Sequence, residues 1–415
     1  MTPLPPFSPF SPFSVEALRK EFPALSQEVN GKSLVYLDSA ASSMKPQVVI
    51  DAMRDFYLRD YSNVHRGVHT LSQRATELYE EARRELARFL SATSDEVVFT
   101  RGTTEGLNLI ANAWSSKHLR PGGEVVITAM EHHSQIVPWQ MACERHGATL
   151  VVLDVDDLGQ IAAGELEAKI GPKTRVVATC HISNALGTVN DIPRIAELAH
   201  AVGAIMVVDG AQGVPHGPVS PKAMGADFYA FSGHKMFGPT GIGVLWGRYE
   251  LLADLPPWQG GGDMIASVSF EKTTYAKPPA RFEAGTPAIG EAIGLGAAAR
   301  WLMSQDIDGL TRHEDDVLAY GHEALVTIPG LRFIGRAAKK KAVLGFVVEG
   351  VHPHDLGTLL DLEGVAVRVG HHCAEPLMRR FGVPGTTRAS LAAYSTKAEI
   401  DRLVAALGKA VSLLR

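Results

Sequence analysis

The sequence predicts an α/β fold: a mostly parallel, seven-stranded sheet with helices on both faces, followed by a smaller α+β domain. Short apolar runs alternate with amphipathic stretches for most of the length, as strand–helix–strand units require. The chain has 415 residues, which at about 100–200 residues per domain suits two or three domains. Between Pro256 and Pro287 the pattern dissolves into Gly, Pro and polar residues, including Gly260-Gly261-Gly262, and the elements beyond Pro287 are fewer and mixed.

In chain order, residues 1–14 (MTPLPPFSPFSPFS) are broken by prolines and carry no basic residue. They are expected to form a disordered tail and lack the charged start of a secretory signal. A large domain is expected over 15–299, opening with a helix at 15–24 that packs with the small domain. Thr70–Leu90 reads as a long charged helix, with Leu71, Ala75, Leu78, Ala82 and Leu86 on one face. Strands are expected at Val97–Phe99, Glu124–Thr128, Thr149–Leu153, Arg175–Thr179, Ala204–Val208, Asp227–Phe231 and Gly243–Trp246. Helices Thr104–Trp114, Val137–His146 and Ile192–Val202 fall between them. The stretch Pro256–Pro287 reads as a functional or interface loop. Helical periodicity runs from Ala288 past Leu325, and a small domain spans 300–415, with strands Val343–Val348 and Val365–Val369 and a last helix from Lys397.

Hydrophobic residues make up 46% and charged residues 20%, and 40 basic against 45 acidic residues leave a net charge of −5. That balance provides no global attraction to nucleic acid or to an anionic membrane. No apolar run reaches the roughly 18 residues of a membrane-spanning helix. Three cysteines, Cys143, Cys180 and Cys373, form no C-x-x-C pair. They encode neither a disulfide framework nor a structural zinc site, and a reducing, cytoplasmic compartment is the expectation.

The chemistry starts at Ala204–Asp209, an apolar strand ending in an acid. The carboxyl ends of strands are where open α/β sheets bind ligands, and no G-x-x-x-x-G-K-[ST] motif makes this an NTPase. The next strand runs into Ser232-Gly233-His234-Lys235. A lone lysine is most often a solvated surface residue, but here it can be a desolvated amine poised to form a Schiff base with an aldehyde. Asp209, 26 positions earlier, belongs to the preceding strand unit, so acid and amine converge on one pocket. A pyridoxal 5'-phosphate site needs that pair, the amine for the aldehyde and the acid for the pyridine nitrogen. Arg101-Gly102-Thr103-Thr104-Glu105 opens a helix and can cradle a phosphate, or it can be an ordinary capping box.

His65, His69, His132, His133, His234, His371 and His372 could be metal ligands. H-E-x-x-H is absent, and neighbouring histidines point apart in regular structure. No metal site is expected, and His132 is read instead as a stacking partner for a pyridine ring. In Arg368-Val369-Gly370-His371-His372-Cys373, the cysteine follows a strand in a Gly-containing turn beside imidazoles and an arginine. Such an electropositive setting favours a thiolate nucleophile, whereas Cys143 and Cys180 read as small buried hydrophobes.

With these residues in hand, the chain resembles the SUF-type (group II) cysteine desulfurases of the class V aminotransferase superfamily. The resemblance runs from about Leu34 to the C-terminus. It rests on YLDSAASS, NVHRGVHTLS, RGTTEGLNLIA, EHHSQIVPWQ, HISNALGT, VDGAQ, FSGHK, RFEAGTP, RVGHHCAEPLM and TTRASLAAY. It implies fold-type I of the pyridoxal phosphate enzymes and a homodimer. It also implies conversion of L-cysteine to L-alanine, with the sulfur held as a persulfide and passed to an acceptor protein, usually for iron–sulfur cluster assembly.

By position, Lys235 would be the Schiff-base lysine, Asp209 the partner of the pyridinium nitrogen and His132 the stacking ring. Asn184 and Gln212 would bond the phenolic oxygen, and Thr103, Thr104, Ser232 and His234 would hold the phosphate. Gly285 and Thr286 would reach the phosphate of the neighbouring subunit. Arg388 would pair with the substrate carboxylate, Arg368 and Asn184 would help position the amino acid, and Cys373 would take the sulfur. A compact cysteine loop limits the thiol's reach, which implies an acceptor of the SufE or SufU kind.

Departures from the family pattern are Asp263 where Glu is expected, Cys180 where Thr or Ala is ordinary, and the Phe-Ser-Pro tail. His352-Pro353-His354-Asp355 resembles a segment that presents a histidine to a zinc-bearing acceptor, and reads equally as a helix start. Rival readings are a selenocysteine lyase, an aminotransferase or an epimerase in which Cys373 is not essential, a metal-dependent hydrolase, and a non-catalytic assembly subunit. Selenocysteine is also a candidate second substrate for a desulfurase.

Overall fold

The computed structural model describes residues 13–415. A seven-stranded sheet forms its centre, from β1 (Val97–Thr100), β2 (Glu124–Thr128), β3 (Thr149–Leu153), β4 (Thr174–Cys180), β5 (Ile205–Asp209), β6 (Phe228–Ser232) and β7 (Gly243–Gly247), in the order β1-β7-β6-β5-β4-β2-β3. Neighbours from β6 through β3 are parallel, while β7 runs antiparallel to both β6 and β1. Successive side chains leave a strand on opposite faces, and both faces are covered. Val97, Phe99, Met206, Val208 and Phe231 enter one apolar cluster, and Val98, Val207, Phe228 and Ala230 enter the other. Burial on both sides explains why these strands read as continuous apolar runs.

The first cluster is closed by α1 (Thr70–Phe89), and the second by α2 (Thr103–His118) and α3 (His133–His146). Helices α4 (Ile192–Ala201) and α5 (Ile289–Met303) also join the first. Helix α5 lies against α1 so closely that a Cβ on Gly296 would come within 2.7 Å of Ala82.

A second sheet of four strands, β8 (Leu331–Phe333), β9 (Val343–Val348), β10 (Arg368–Gly370) and β11 (Thr386–Ser390), has the order β8-β9-β11-β10. It is antiparallel throughout and packs with α6 (Ile307–Leu325), α7 (Pro353–Leu362) and α9 (Lys397–Leu414), while α8 (Glu375–Arg380) follows β10.

Several expectations shift. Of the 1–14 tail, residues 1–12 lie outside the described residues. Phe13 stacks on His313, and Ser14 caps the short helix Val15–Arg19, which ends well before residue 24. Arg19 of that helix pairs with Glu399 at 3.1 Å. Helix α3 starts at His133 because the His132 side chain caps it, with Pro138 carried inside. The loop Pro256–Pro287 contains a two-stranded ribbon, Ile265–Val268 with Thr273–Tyr275. The long helical stretch after Ala288 breaks at Ser304–Asp306, where Asp306 caps α6. A boundary at 299/300 therefore cuts α5, whose Trp301 and Leu302 belong to the core of the large sheet. The expected strand Val365–Val369 splits: Val365–Ala366 pairs in parallel with Val35–Tyr36, and Arg368 begins β10.

Candidate active site

The ends of β5 and β6 open into a cavity of about 210 Å³. Asp209, the last residue of β5, and Lys235, in the turn after β6, both line it. Burial pushes the Asp209 carboxyl up, against the opposing charge of Lys235, the Ala211 N–H and the Ser134 hydroxyl. Burial pushes the Lys235 amine down, Asp209 opposes it, and Arg388 adds to it. Acid and amine thus face each other in a desolvated setting, where an amine is nucleophilic.

His132 stands at the cavity wall as the N-cap of α3. Its Nδ1 accepts a hydrogen bond from the Ser134 N–H at 3.0 Å, which fixes the ring. Burial and the nearby Lys235 hold it at about 4, so the imidazole is neutral at pH 7.

Thr103, Thr104, Ser232 and His234 line the far end, at the N-terminus of α2. The Thr103 N–H donates to Ser232 Oγ at 2.8 Å, and the two hydroxyls lie 2.7 Å apart. Among the described residues no side chain caps this helix; Glu105 instead accepts from the Arg101 N–H. The capping box is therefore not formed, and with the Thr103 N–H engaged by Ser232, the Thr104 amide and hydroxyl are what the helix start offers an anion. The His234 imidazole, half-buried and beside Lys235, is held at about 4.

The opposite end is basic. Arg388 on β11 is only 2% exposed. It donates from Nη1 to the Asn184 carbonyl at 2.8 Å and from Nη2 to Asp38 Oδ1 at 3.1 Å. Its buried Nε has no partner among the described residues, a donor available to a carboxylate. Arg368 approaches Asp38 Oδ2 at 4.0 Å, so one acid organises both guanidinium groups. Asn184 donates from Nδ2 to the His372 carbonyl at 2.6 Å, and Gln212 from Nε2 to the Ala40 carbonyl at 2.8 Å. Each amide group keeps a second N–H.

Cys373 is exposed at the mouth, whereas Cys143 and Cys180 are buried. Its φ is 55° and that of His372 is 54°, two successive left-handed residues without glycine. The turn is tied down by the Asn184 bond and by the His133 N–H, which donates to the Cys373 carbonyl at 2.8 Å. His372 points inward and shares a 2.8 Å hydrogen bond with Thr386; burial and Arg388 hold it at about 3.

The cavity thus gathers every site residue named from the sequence except Gly285 and Thr286. Those two border a separate hollow beside Tyr79 and Trp258. His352 caps α7 through Nδ1, with Asp355 in the first turn. Among the described residues, no three His, Cys, Asp or Glu side chains are grouped to hold a metal ion. Asp38 and Ser134 are not singled out from the sequence, and His372 reads there only as an imidazole beside the cysteine and a candidate metal ligand. All three lie inside quoted motifs, but only the fold shows that Asp38 touches the arginines and His372 touches β11.

The model of the aminotransferase class-V family matches residues 35–403. The chain belongs to that family. A cysteine desulfurase of Dickeya dadantii is 50% identical over 402 residues, covering 96% of this chain and 97% of that protein. A probable cysteine desulfurase of Mycolicibacterium paratuberculosis is 50% identical over 388 residues, 93% of this chain, but the chain spans only 57% of that longer protein. The crystal structure of the Escherichia coli cysteine desulfurase CsdA superposes with a TM-score of 0.90 at 41% identity, covering 97% of this chain and 100% of that one. The class-V cofactor, pyridoxal 5'-phosphate, fits the donor set. The cavity offers a buried amine, an acid facing it, a fixed neutral ring and an uncapped helix start for the phosphate.

Proposed function

We propose that the chain is a cysteine desulfurase that converts L-cysteine to L-alanine and holds the sulfur as a persulfide on Cys373. One observation carries this reading: Lys235, Arg388 and the exposed thiol of Cys373 line a single cavity. A transaminase needs the first two and has no use for the third.

Pyridoxal phosphate, when bound, supplies an electron sink for the charge released at the substrate's α-carbon. Asp209 holds the proton on the ring nitrogen, and His132 covers the ring face as a neutral imidazole. Thr103, Thr104, Ser232 and His234 hold the phosphate, and Asn184 and Gln212 bond the phenolic oxygen through their remaining N–H donors. Arg388 grips the substrate carboxylate through Nε and a second nitrogen, with Arg368 and Asn184 positioning the amino acid. Lys235, an amine whose hold on a proton is lowered by burial, would accept the α-proton. The Cys373 thiolate attacks the substrate sulfur; an S–S bond forms, the C–S bond breaks, and its electron pair leaves with the carbon skeleton, which is protonated to alanine.

The proposal extends to a homodimer. Gly285 and Thr286 lie away from their own chain's cavity, which suits residues that serve the phosphate of a second subunit. A sulfur-acceptor protein of the SufE or SufU kind would relieve Cys373 and feed iron–sulfur cluster assembly, and selenocysteine would be a second substrate. A cytoplasmic setting suits a free, exposed thiol; no described helix is long and apolar enough to cross a membrane.

The test is to incubate the holoenzyme with L-cysteine and assay alanine and sulfide, with and without Cys373→Ser. Alanine formation that requires Cys373 is the expected result. A yellow protein that ignores cysteine, or a Cys373→Ser protein with full turnover, would move the chain to another class-V reaction. A protein that remains colourless with added pyridoxal phosphate would overturn the cofactor assignment.

A further inference from the structure

The carbonyl of His234, the residue joined to Lys235, is crowded with donors. It accepts from the Ser43 N–H at 3.1 Å, the Ser42 and Ser43 hydroxyls at 3.2 Å each, and the Lys45 ammonium at 2.8 Å. Four donors on one carbonyl oxygen exceed the two lone pairs it offers, so the group is held from several sides rather than by one optimal bond.

Lys45 does not line the cavity. Its ammonium also reaches the Ser43 carbonyl at 2.6 Å, closing a ring between the Ser42–Lys45 segment and the turn after β6. The Ser43 hydroxyl joins the same segment to the Phe237 N–H at 2.8 Å, and Phe237 has a left-handed φ of 66°. The turn that presents Lys235 is therefore braced just before and just after the lysine by one external loop. Burial pushes the Lys45 ammonium down to about 7, and no carboxylate offsets this among the described residues. A half-buried lysine that has only carbonyl partners is costly, and it needs a reason to remain.

We propose that Lys45 is a positioning residue: it pins the His234–Lys235 peptide and so aims the Lys235 amine into the cavity. The inference rests on the desulfurase reading above. The peptide plane sets the direction of the Lys235 Cα–Cβ bond, and the amine hangs on a flexible four-carbon stem. Small rotations at the peptide would become large displacements of the nitrogen that must meet the substrate's α-proton. At 2.8 Å the Lys45 bond is the shortest of the four that converge on this oxygen.

The test compares the full chain with Lys45→Met and Lys45→Arg in two readouts. Amide exchange of the 232–238 segment, measured without cofactor, should quicken at least about threefold in Lys45→Met, because the brace is gone. In the holoenzyme, kcat for alanine should fall at least about threefold with a smaller change in KM, since the substrate carboxylate sites are untouched. Lys45→Arg, which keeps a charged donor, should recover both. Exchange or kcat changed by less than about threefold in Lys45→Met, or no recovery in Lys45→Arg, would overturn the proposal. If Lys45→Met does not fold, the paired Ser42→Ala, Ser43→Ala variant is read by the same two criteria. A parent chain that makes no alanine refutes the desulfurase reading, while the exchange comparison still decides whether Lys45 braces the turn.

Discussion

Asp38 and Arg388 tie the chain's early segment to the last strand of the small sheet. Arg388 Nη2 donates to Asp38 Oδ1 at 3.1 Å, and Asp38 forms a parallel bridge with Ser390 beside it. The guanidinium is thereby held with its buried Nε unpartnered among the described residues.

Asp38→Asn should therefore weaken substrate binding more than chemistry. It removes the charge that orients both Arg388 and Arg368. Expected is a KM for L-cysteine raised about tenfold with a smaller fall in kcat, measured by steady-state alanine formation. A KM unchanged within about twofold would show that Arg388 needs no partner to find its geometry.

The three thiols should separate cleanly in alkylation. Cys373 is exposed, while burial pushes Cys143 up to about 11 and Cys180 well above the usual thiol range. Brief iodoacetamide treatment of the folded chain at pH 8 should label Cys373 alone, read by peptide mass spectrometry. Equal labelling of Cys143 would mean that its surroundings open on the labelling timescale.

Glu283 should be a stability hot spot that also governs the loop beside it. Arg83 donates to it from Nη1 at 2.7 Å and Nη2 at 2.9 Å, and the Phe99 N–H adds a third bond at 2.7 Å. Removing one partner of a buried ion pair strands the other charge, at about 3–5 kcal/mol. Glu283→Ala should lower the denaturant midpoint accordingly and loosen the adjoining Gly285-Thr286 segment. If those residues serve a second subunit, the dimer should dissociate at higher protein concentration, which analytical ultracentrifugation would detect.

Glu80 should contribute a pH-dependent share of stability. Burial pushes its carboxyl up, but the hydrogen bond with His65 and the charge of Arg83 more than offset that, leaving it at about 2. A folded value below the unfolded one stabilises above about pH 4.5 and is lost as pH falls towards 2. With its side chain one-third exposed, solvent screening brings the contribution to about 1 kcal/mol. Glu80→Gln should be less stable than the parent by that amount at pH 7, and the gap should narrow below pH 4.5. A gap that stays constant across pH 7 to 3 would assign the effect to packing.

Apart from the edge strand β3, which is mostly half-buried or exposed, the strands of the large sheet were legible because they are buried on both faces, which makes them largely apolar runs. Asp209 and Lys235 were legible for a related reason: each ends or follows such a run, so its location in the fold came with its identity. The ribbon at Ile265–Tyr275 escaped notice because its residues are mostly exposed and show no burial pattern. Helix α3 began four residues early because a histidine side chain caps it, which cap propensities do not favour. Lys45 and Asp38 carry no local sign of their partners, which lie 189 and 350 positions away. Contacts of that range are set by packing, and no periodicity reports them.

The turn that carries Cys373 has one further consequence. Two left-handed residues in succession, moored by Asn184 and His133, leave the sulfur only the sweep of a single side-chain torsion. In the proposed reaction such a sulfur cannot be ferried outward. The recipient must enter the mouth to collect it, and until one arrives the next cysteine waits. Output would then follow the abundance of the visitor rather than that of the amino acid, so the rigidity of a short stretch of backbone acts as a meter on how fast reactive sulfur leaves the protein.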